Sequence, residues 1–244
     1  MNTAIEIAGL TKQYRSKIAV DHVSLSIIQG ELFSLLGVNG AGKTTLIKML
    51  SCLTKPTEGD ALLMGNSILR KPKKVKEYIA VSPQETAIAP NLSVRENLEM
   101  MAGVHGFGKS EAKRKADEMI GLFSFGNMEK QRSKTLSGGW QRRLSIAMAL
   151  IGDPKILFLD EPTLGLDILA RRELWAVIKN LKGKATIILT THYLEEAEAL
   201  SDRLCIMKDG RVRALGTVDE LKKKAEADRF EDAFVSLIAG GEPT

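Results

Sequence analysis

Gly37, Gly42, Lys43 and Thr44 stand in the spacing G-x-x-x-x-G-K-[ST], and the chemistry of that spacing is the capture of phosphate. Glycines let backbone N–H groups turn toward an anion at close range, because no Cβ intervenes. A helix opening at Gly42-Lys43 aims its free N–H groups and positive dipole end at the same anion. Lys43 is then placed to neutralise β- and γ-phosphates, and the Thr44 hydroxyl to hold Mg²⁺. Gly40 adds a third flexible position. An apolar run, Leu32 to Leu36, precedes the loop, and a helix is expected to follow it. That strand–loop–helix context separates a nucleotide-phosphate site from an incidental glycine-rich turn.

Other residue types fit the same chemistry. Ile156-Leu157-Phe158-Leu159 is followed at once by Asp160 and Glu161. Acids at the C-terminal end of a buried parallel strand lie where ligands bind in such sheets. Asp160 suits indirect Mg²⁺ coordination, and Glu161 is placed to polarise an attacking water. His192 follows the β-branched strand Ala185 to Thr190, where an imidazole can sense a γ-phosphate. Gln84 follows the strand Tyr78 to Ser82 and Pro83, a place from which an amide can ligate Mg²⁺ or position water. Tyr14, the only aromatic ahead of Phe33, is either a packing residue or a platform for an adenine ring. Ser137, Gly138 and Gly139 open a helix. Ser137 is expected to cap it, and the glycines bare its N–H groups, which makes this stretch either an ordinary helix start or a second anion site.

The elements that must hold these groups read as an α/β core with a helical insert. Residues 4–10 and Val23 to Ile27 alternate like strands. From residue 88 to 152 the texture turns helical, with Ser93-Val94-Arg95-Glu96 as a capping box. The run Arg70, Lys71, Lys73, Lys74, Lys76 reads as a solvated face. Asp209-Gly210 reads as a hairpin turn, Thr217 to Glu220 as a second capping box and Phe230 to Ile238 as a short helix. The expected division is one domain over 1–244, with a nucleotide-binding core at 1–87 and 153–216, a helical sub-domain at 88–152 and a helical tail at 217–244. With 44% hydrophobic and 27% charged residues, the composition is that of an ordinary globular protein. No run approaches the roughly 18 apolar residues of a membrane-spanning helix. Met1 to Glu6 lacks the basic-then-apolar form of a signal peptide. Two cysteines, Cys52 and Cys205, with neither CxxC spacing nor a disulfide framework, point to a reducing cytosol. A net charge of +5 permits an anionic partner without demanding one.

In order and spacing, these motifs resemble the ATP-binding subunits of ABC transporters over nearly the whole chain. The resemblance implies a P-loop NTPase core, a mostly parallel sheet flanked by helices, with an N-terminal antiparallel β portion and an inserted helical sub-domain. It makes Tyr14 the adenine-stacking aromatic. Gly37, Asn39, Gly40, Ala41, Gly42, Lys43, Thr44 and Thr45 become the Walker A loop, and Gln84 the Q-loop. Leu136 to Gln141, with Ser137, Gly138 and Gly139, become the signature motif, Ile156 to Asp160 the Walker B strand ending in Asp160, Glu161 the general base, Asp167 the D-loop acid and His192 the switch histidine. Two departures stand out. Trp140 occupies the place after the two glycines that usually holds Gln, and Gln141, one residue later, is rotated by about 100° around the helix. The D-loop ends in Ile168 where many relatives have proline.

The family implies a Mg²⁺-ATP hydrolase, peripheral on the cytoplasmic face of the cell membrane, that powers an integral membrane transporter subunit. It also implies a head-to-tail ATP-dependent dimer with a second copy or a homologous ATPase subunit, and no nucleic-acid partner. The single nucleotide domain, the helical texture of 91–105 and the tail Phe230-Glu231-Asp232-Ala233-Phe234 lean toward drug-, lipid- or ion-exporting members. The competing reading is a soluble ATPase switch of the same type acting on nucleic acid or ribosomes.

Overall fold

Runs of aliphatic and β-branched residues build two sheets, described by a computed structural model over residues 2–239. The first is antiparallel: β1 (Thr3–Tyr14) pairs with β2 (Lys17–Ile28) on one side and β4 (Glu58–Leu63) on the other, and β5 (Asn66–Ser67) pairs with β4. The second contains β3 (Leu32–Leu36), β6 (Ile79–Ser82), β7 (Ile156–Asp160), β8 (Thr186–Thr191), β9 (Arg203–Lys208) and β10 (Arg211–Gly216) in the order β10-β9-β3-β8-β7-β6. All its pairs are parallel except β9–β10, the hairpin expected at Asp209-Gly210. Both turn residues have positive φ, 51° and 78°, as a two-residue hairpin loop of this hand requires.

Parallel strands need crossovers, and helices supply them. They are α1 (Lys43–Leu50), α2 (Pro72–Lys76), α3 (Val94–Val104), α4 (Lys109–Leu122), α5 (Gly138–Leu150), α6 (Ile168–Asn180) and α7 (Leu194–Leu200), while α8 (Val218–Lys224) and α9 (Phe230–Ala239) follow the last strand. Every residue of β3, β7 and β8 is buried, which explains why these strands are apolar on both faces rather than alternating. Strand alternation then sorts side chains between two cores. Leu157, Leu159, Ile187 and Leu189 face the helical layer with Leu98, Phe123 and Leu144. Ile156, Phe158 and Ile188 face the antiparallel sheet and α1 with Ile5, Ile27 and Leu46.

The two capping boxes form as the sequence predicts. Ser93 and Glu96 exchange reciprocal bonds of 3.2 and 2.7 Å, and Thr217 and Glu220 bonds of 3.2 and 2.8 Å. Elsewhere the structure differs. Strands β1 and β2 run well past 4–10 and 23–27, because bulges near Ile7 and Leu10 break the alternation that marks a strand. Part of the basic run is helical: α2 starts at Pro72 and buries Val75 beneath its lysines. Ser137 precedes α5, but its side chain makes no capping bond. Of the expected tail at 217–244, residues 240–244 lie outside the described residues.

Beside the central strands, α6 and α7 meet through a fully buried glutamate. Glu196 accepts a 3.0 Å bond from the Trp175 indole N–H. Burial raises its pKa above 4.5, against the lowering effect of its hydrogen bonds. The native state therefore keeps a proton that the unfolded chain releases, so stability should fall as pH rises from 4.5 toward the raised native value. Glu196→Gln keeps the acceptor and removes the titration. Urea unfolding across this window should show a slope shallower by up to ~1.4 kcal/mol per pH unit in the variant. Parallel profiles for the two proteins would refute the buried-acid reading.

Candidate functional site

The loop between β3 and α1 folds as its glycines dictate. Gly42 caps α1 with φ 103°, and a Cβ there would collide with the carbonyl oxygen of Ala19. Only glycine meets both conditions. Lys43 is 5% exposed. Its Nζ donates to the Gly37 and Val38 carbonyls at 2.7 and 3.3 Å and lies 3.7 Å from Glu161 Oε1. Burial lowers its pKa, while Glu161 and Asp160 pull it back up.

Opposite this loop, the ends of β7 and β8 carry a connected polar set. Asp160 Oδ1 accepts from the Thr44 hydroxyl at 3.1 Å and from the Thr190 hydroxyl at 2.6 Å. Thr190 Oγ1 in turn accepts from the Glu161 backbone N–H at 2.9 Å. Glu161 sits at φ 49°, a left-handed conformation that costs a glutamate energy and is typical of side chains held for a function. Its carboxylate lies between two partners: Oε1 near Lys43, and Oε2 2.6 Å from His192 Nδ1.

These groups surround a cleft of about 500 Å³. Of the residues singled out from sequence, Tyr14, Asn39 through Thr45, Gln84, Glu161 and His192 line it. The Tyr14 ring is 45% exposed at the rim, with the Lys12 ammonium 5.0 Å from its centroid. Gly37 lies beneath the loop, where Lys43 uses its carbonyl. Asp160 reaches the cleft through Thr44. Ser137, Gly138, Gly139 and Asp167 do not line this cleft. Gly139 packs toward Ala170, and the Asp167 carboxylate caps α6 by accepting from the Ala170 N–H at 2.9 Å. Gln141 is turned inward, its amide donating to the Ser133 and Leu136 carbonyls at 3.2 and 3.1 Å. Trp140 packs against Phe125, ring centroids 5.7 Å apart, and lies 4.3 Å from the Arg143 guanidinium carbon.

Four contributors were not read from sequence, one of them Leu164, which lines the cleft from the segment beyond β7. Lys17 and Ala19 line the cleft from β2, whose start the alternation pattern did not reach. Thr190, named only as the end of an apolar strand, bridges Asp160 and Glu161. A hydroxyl at the end of a wholly buried strand was the available signal. Chemically, the cleft offers one buried cation, a glycine-rich loop, a carboxylate paired with an imidazole, and a hydroxyl–carboxylate pair.

The comparisons agree with this geometry. Residues 20–164 match the family model described as ABC transporter. The chain is 40% identical over 231 residues to a daunorubicin resistance ATP-binding protein, DrrA3, of Streptomyces coeruleorubidus, spanning 94% of this chain and 73% of that protein. A solved ATP-binding subunit of an ABC transporter superimposes with a TM-score of 0.84 at 28% identity, covering 96% of this chain and 99% of that one. A dimeric ATP-binding cassette solved in a post-hydrolysis state with ADP and phosphate gives a TM-score of 0.78 at 27% identity, covering 87% and 98%. Matched to that family's domain, and to a relative along nearly its whole length, the chain belongs to the ABC transporter family, as one of its ATP-hydrolysing subunits.

Proposed function

We propose that the cleft binds ATP as its Mg²⁺ complex, and that two copies of the chain, or this chain and a homologous subunit, close head to tail around two nucleotides. The observation that carries this reading is the convergence on one cleft of Lys43, the Thr44–Asp160 pair and the Glu161–His192 pair. Thr44, Asp160 and Gln84 offer hard oxygen donors of the kind Mg²⁺ takes alongside substrate phosphates. Bound there, the ion would neutralise charge on the phosphates. Lys43 holds the β- and γ-phosphates. Glu161, released from Lys43, accepts the proton of the attacking water, and His192 faces the γ-phosphate. Tyr14 stacks on adenine. The loop from Asn39 to Thr45 wraps the phosphates with its N–H groups.

Ser137, Gly138 and Gly139 complete the partner's site rather than their own. Supporting this is the first turn of α5, which lies outside its own cleft with its N–H groups uncapped by Ser137. Asp167, on the same side as α5, serves the same interface. The proposed division keeps a core, a helical sub-domain at 88–152 and a tail from 217; α3, α4 and α5 bury a shared cluster against one face of the sheet, and the tail residues Leu221, Phe230 and Ala233 pack in a separate cluster with β9 and β10.

No helix among the described residues is long and apolar enough to cross a membrane. Relatives named as ATP-binding proteins favour transport through a separate integral membrane subunit, with this chain peripheral on the cytoplasmic face. Names such as daunorubicin resistance ATP-binding protein among the relatives favour export of drug-like compounds.

Two experiments test this reading. Tyr14→Ala should weaken ATP binding about tenfold, since stacking on one base is worth roughly 1–3 kcal/mol. Tyr14→Phe should bind like wild type in an equilibrium titration, because only the ring face is used. Equal losses in both variants would point to the hydroxyl instead. Glu161→Gln cannot accept the water's proton and should lose about 10²–10⁴-fold in turnover. With ATP and Mg²⁺ its mass by light scattering should double, and with ADP it should not. A variant hydrolysing ATP at the wild-type rate would remove Glu161 from its assigned role.

A further inference from the structure

Arg142 lies in the second turn of α5 and is 4% exposed. Among the described residues no carboxylate forms an ion pair with it. Its guanidinium is spent instead on four backbone carbonyls. Nε donates to Pro162 O at 2.9 Å, Nη2 to Asp160 O at 2.7 Å, and Nη1 to Gln84 O at 3.0 Å and to Pro83 O. Two of these carbonyls belong to the residues just after β6, and two to the end of β7 and the residues beyond it. The same segments carry Gln84, Asp160 and Glu161. One turn further along α5, the Ser145 and Ser82 hydroxyls lie 3.2 Å apart and make a second tie to β6. Burial lowers the Arg142 pKa to about 10, against the raising effect of Asp160 and Glu196, so the group stays charged at neutral pH.

The bonding pattern is what distinguishes this residue. A guanidinium is planar and presents five N–H donors in fixed directions. Four carbonyls bound to it are held in fixed positions relative to one another and to the helix that carries it. A hydrophobic residue would fill the space without joining the two segments, and a lysine ammonium lacks the planar fork that spans all four carbonyls.

We propose that Arg142 is a positioning residue that locks the Gln84 loop and the Asp160–Pro162 segment to α5, so that the three move as one body. Resting on the reading of the cleft given above, this makes α5 a lever between the two sites of the dimer. Its first turn meets the partner's nucleotide, and its second holds the groups that face its own.

The test is Arg142→Lys in the full chain, which keeps charge and stem but loses the fork. In the nucleotide-free protein, amide hydrogen exchange should quicken by roughly tenfold over residues 82–87 and 160–165 together, while β9 and β10 stay unchanged. With Mg-ATP, kcat should fall at least about tenfold with KM for ATP within about twofold. Arg142→Ala should recover turnover partly when ethylguanidinium is added. A second tier of outcomes overturns the proposal: wild-type exchange in both segments, a change confined to one of them, or a uniform rise across the chain with a matching loss of Tm. The last would make Arg142 a stability residue only. If the wild-type chain itself hydrolysed no ATP, the reading of the cleft would fail, while the exchange comparison would still decide the linkage.

Discussion

A buried ammonium must be answered by oxygen atoms, and the site is built around that demand. Leaving Lys43 unpaired in the interior would cost several kcal/mol. The Gly37 and Val38 carbonyls and the Glu161 carboxylate meet the need. These partners are weaker than a polyphosphate, which brings several anionic oxygens at once. On the proposed function, a bound nucleotide would exchange one set of partners for a better one. The same exchange would free Glu161, the group proposed to act on water. In this structure that carboxylate is occupied on both sides, by Lys43 and by His192.

Strand order makes the arrangement possible. Adjacent parallel strands β3, β8 and β7 end on the same edge of the sheet. Lys43 follows the first, Thr190 and His192 come from the end of the second, and Asp160 and Glu161 from the end of the third. Residues more than a hundred positions apart in the chain thus come within hydrogen-bond distance. All three strands are wholly buried, so the edge is held by two cores, one on each face. The site combines rigid strand ends with one glycine loop, the combination that lets backbone N–H groups reach a ligand without the site collapsing.

Much of this was legible because local chemistry dictated it. The phosphate loop, the hairpin at Asp209-Gly210, both capping boxes and the apolar runs of β3, β7 and β8 each carry their own signal within a few residues. What escaped was set by context. Bulges hid the length of β1 and β2, and with it Lys17 and Ala19 in the cleft. Ser137 has the residue type of a cap but not the bond. Arg142 and Arg143, for which no signal at the residues themselves predicts burial, are both buried. The clue was α5 itself, apolar on nearly every side from Leu144 to Leu150, so that few of its faces remain for solvent. Ser137, Gly138, Gly139 and Asp167 lie outside the cleft of their own chain, and a role for them at nucleotide comes from the family resemblance alone.

The exchange of partners at Lys43 is open to a double-mutant cycle on metal-free ATP affinity, using Lys43→Ala, Glu161→Gln and the combination. If Glu161 competes with phosphate for the ammonium, removing Glu161 leaves Lys43 free to give the phosphate its whole interaction. The affinity lost with Lys43 should then be greater in the Glu161→Gln background than in the wild type, by a coupling of roughly 0.5–3 kcal/mol for residues in contact. Equal losses in the two backgrounds would contradict the exchange and leave Glu161 a bystander to nucleotide binding.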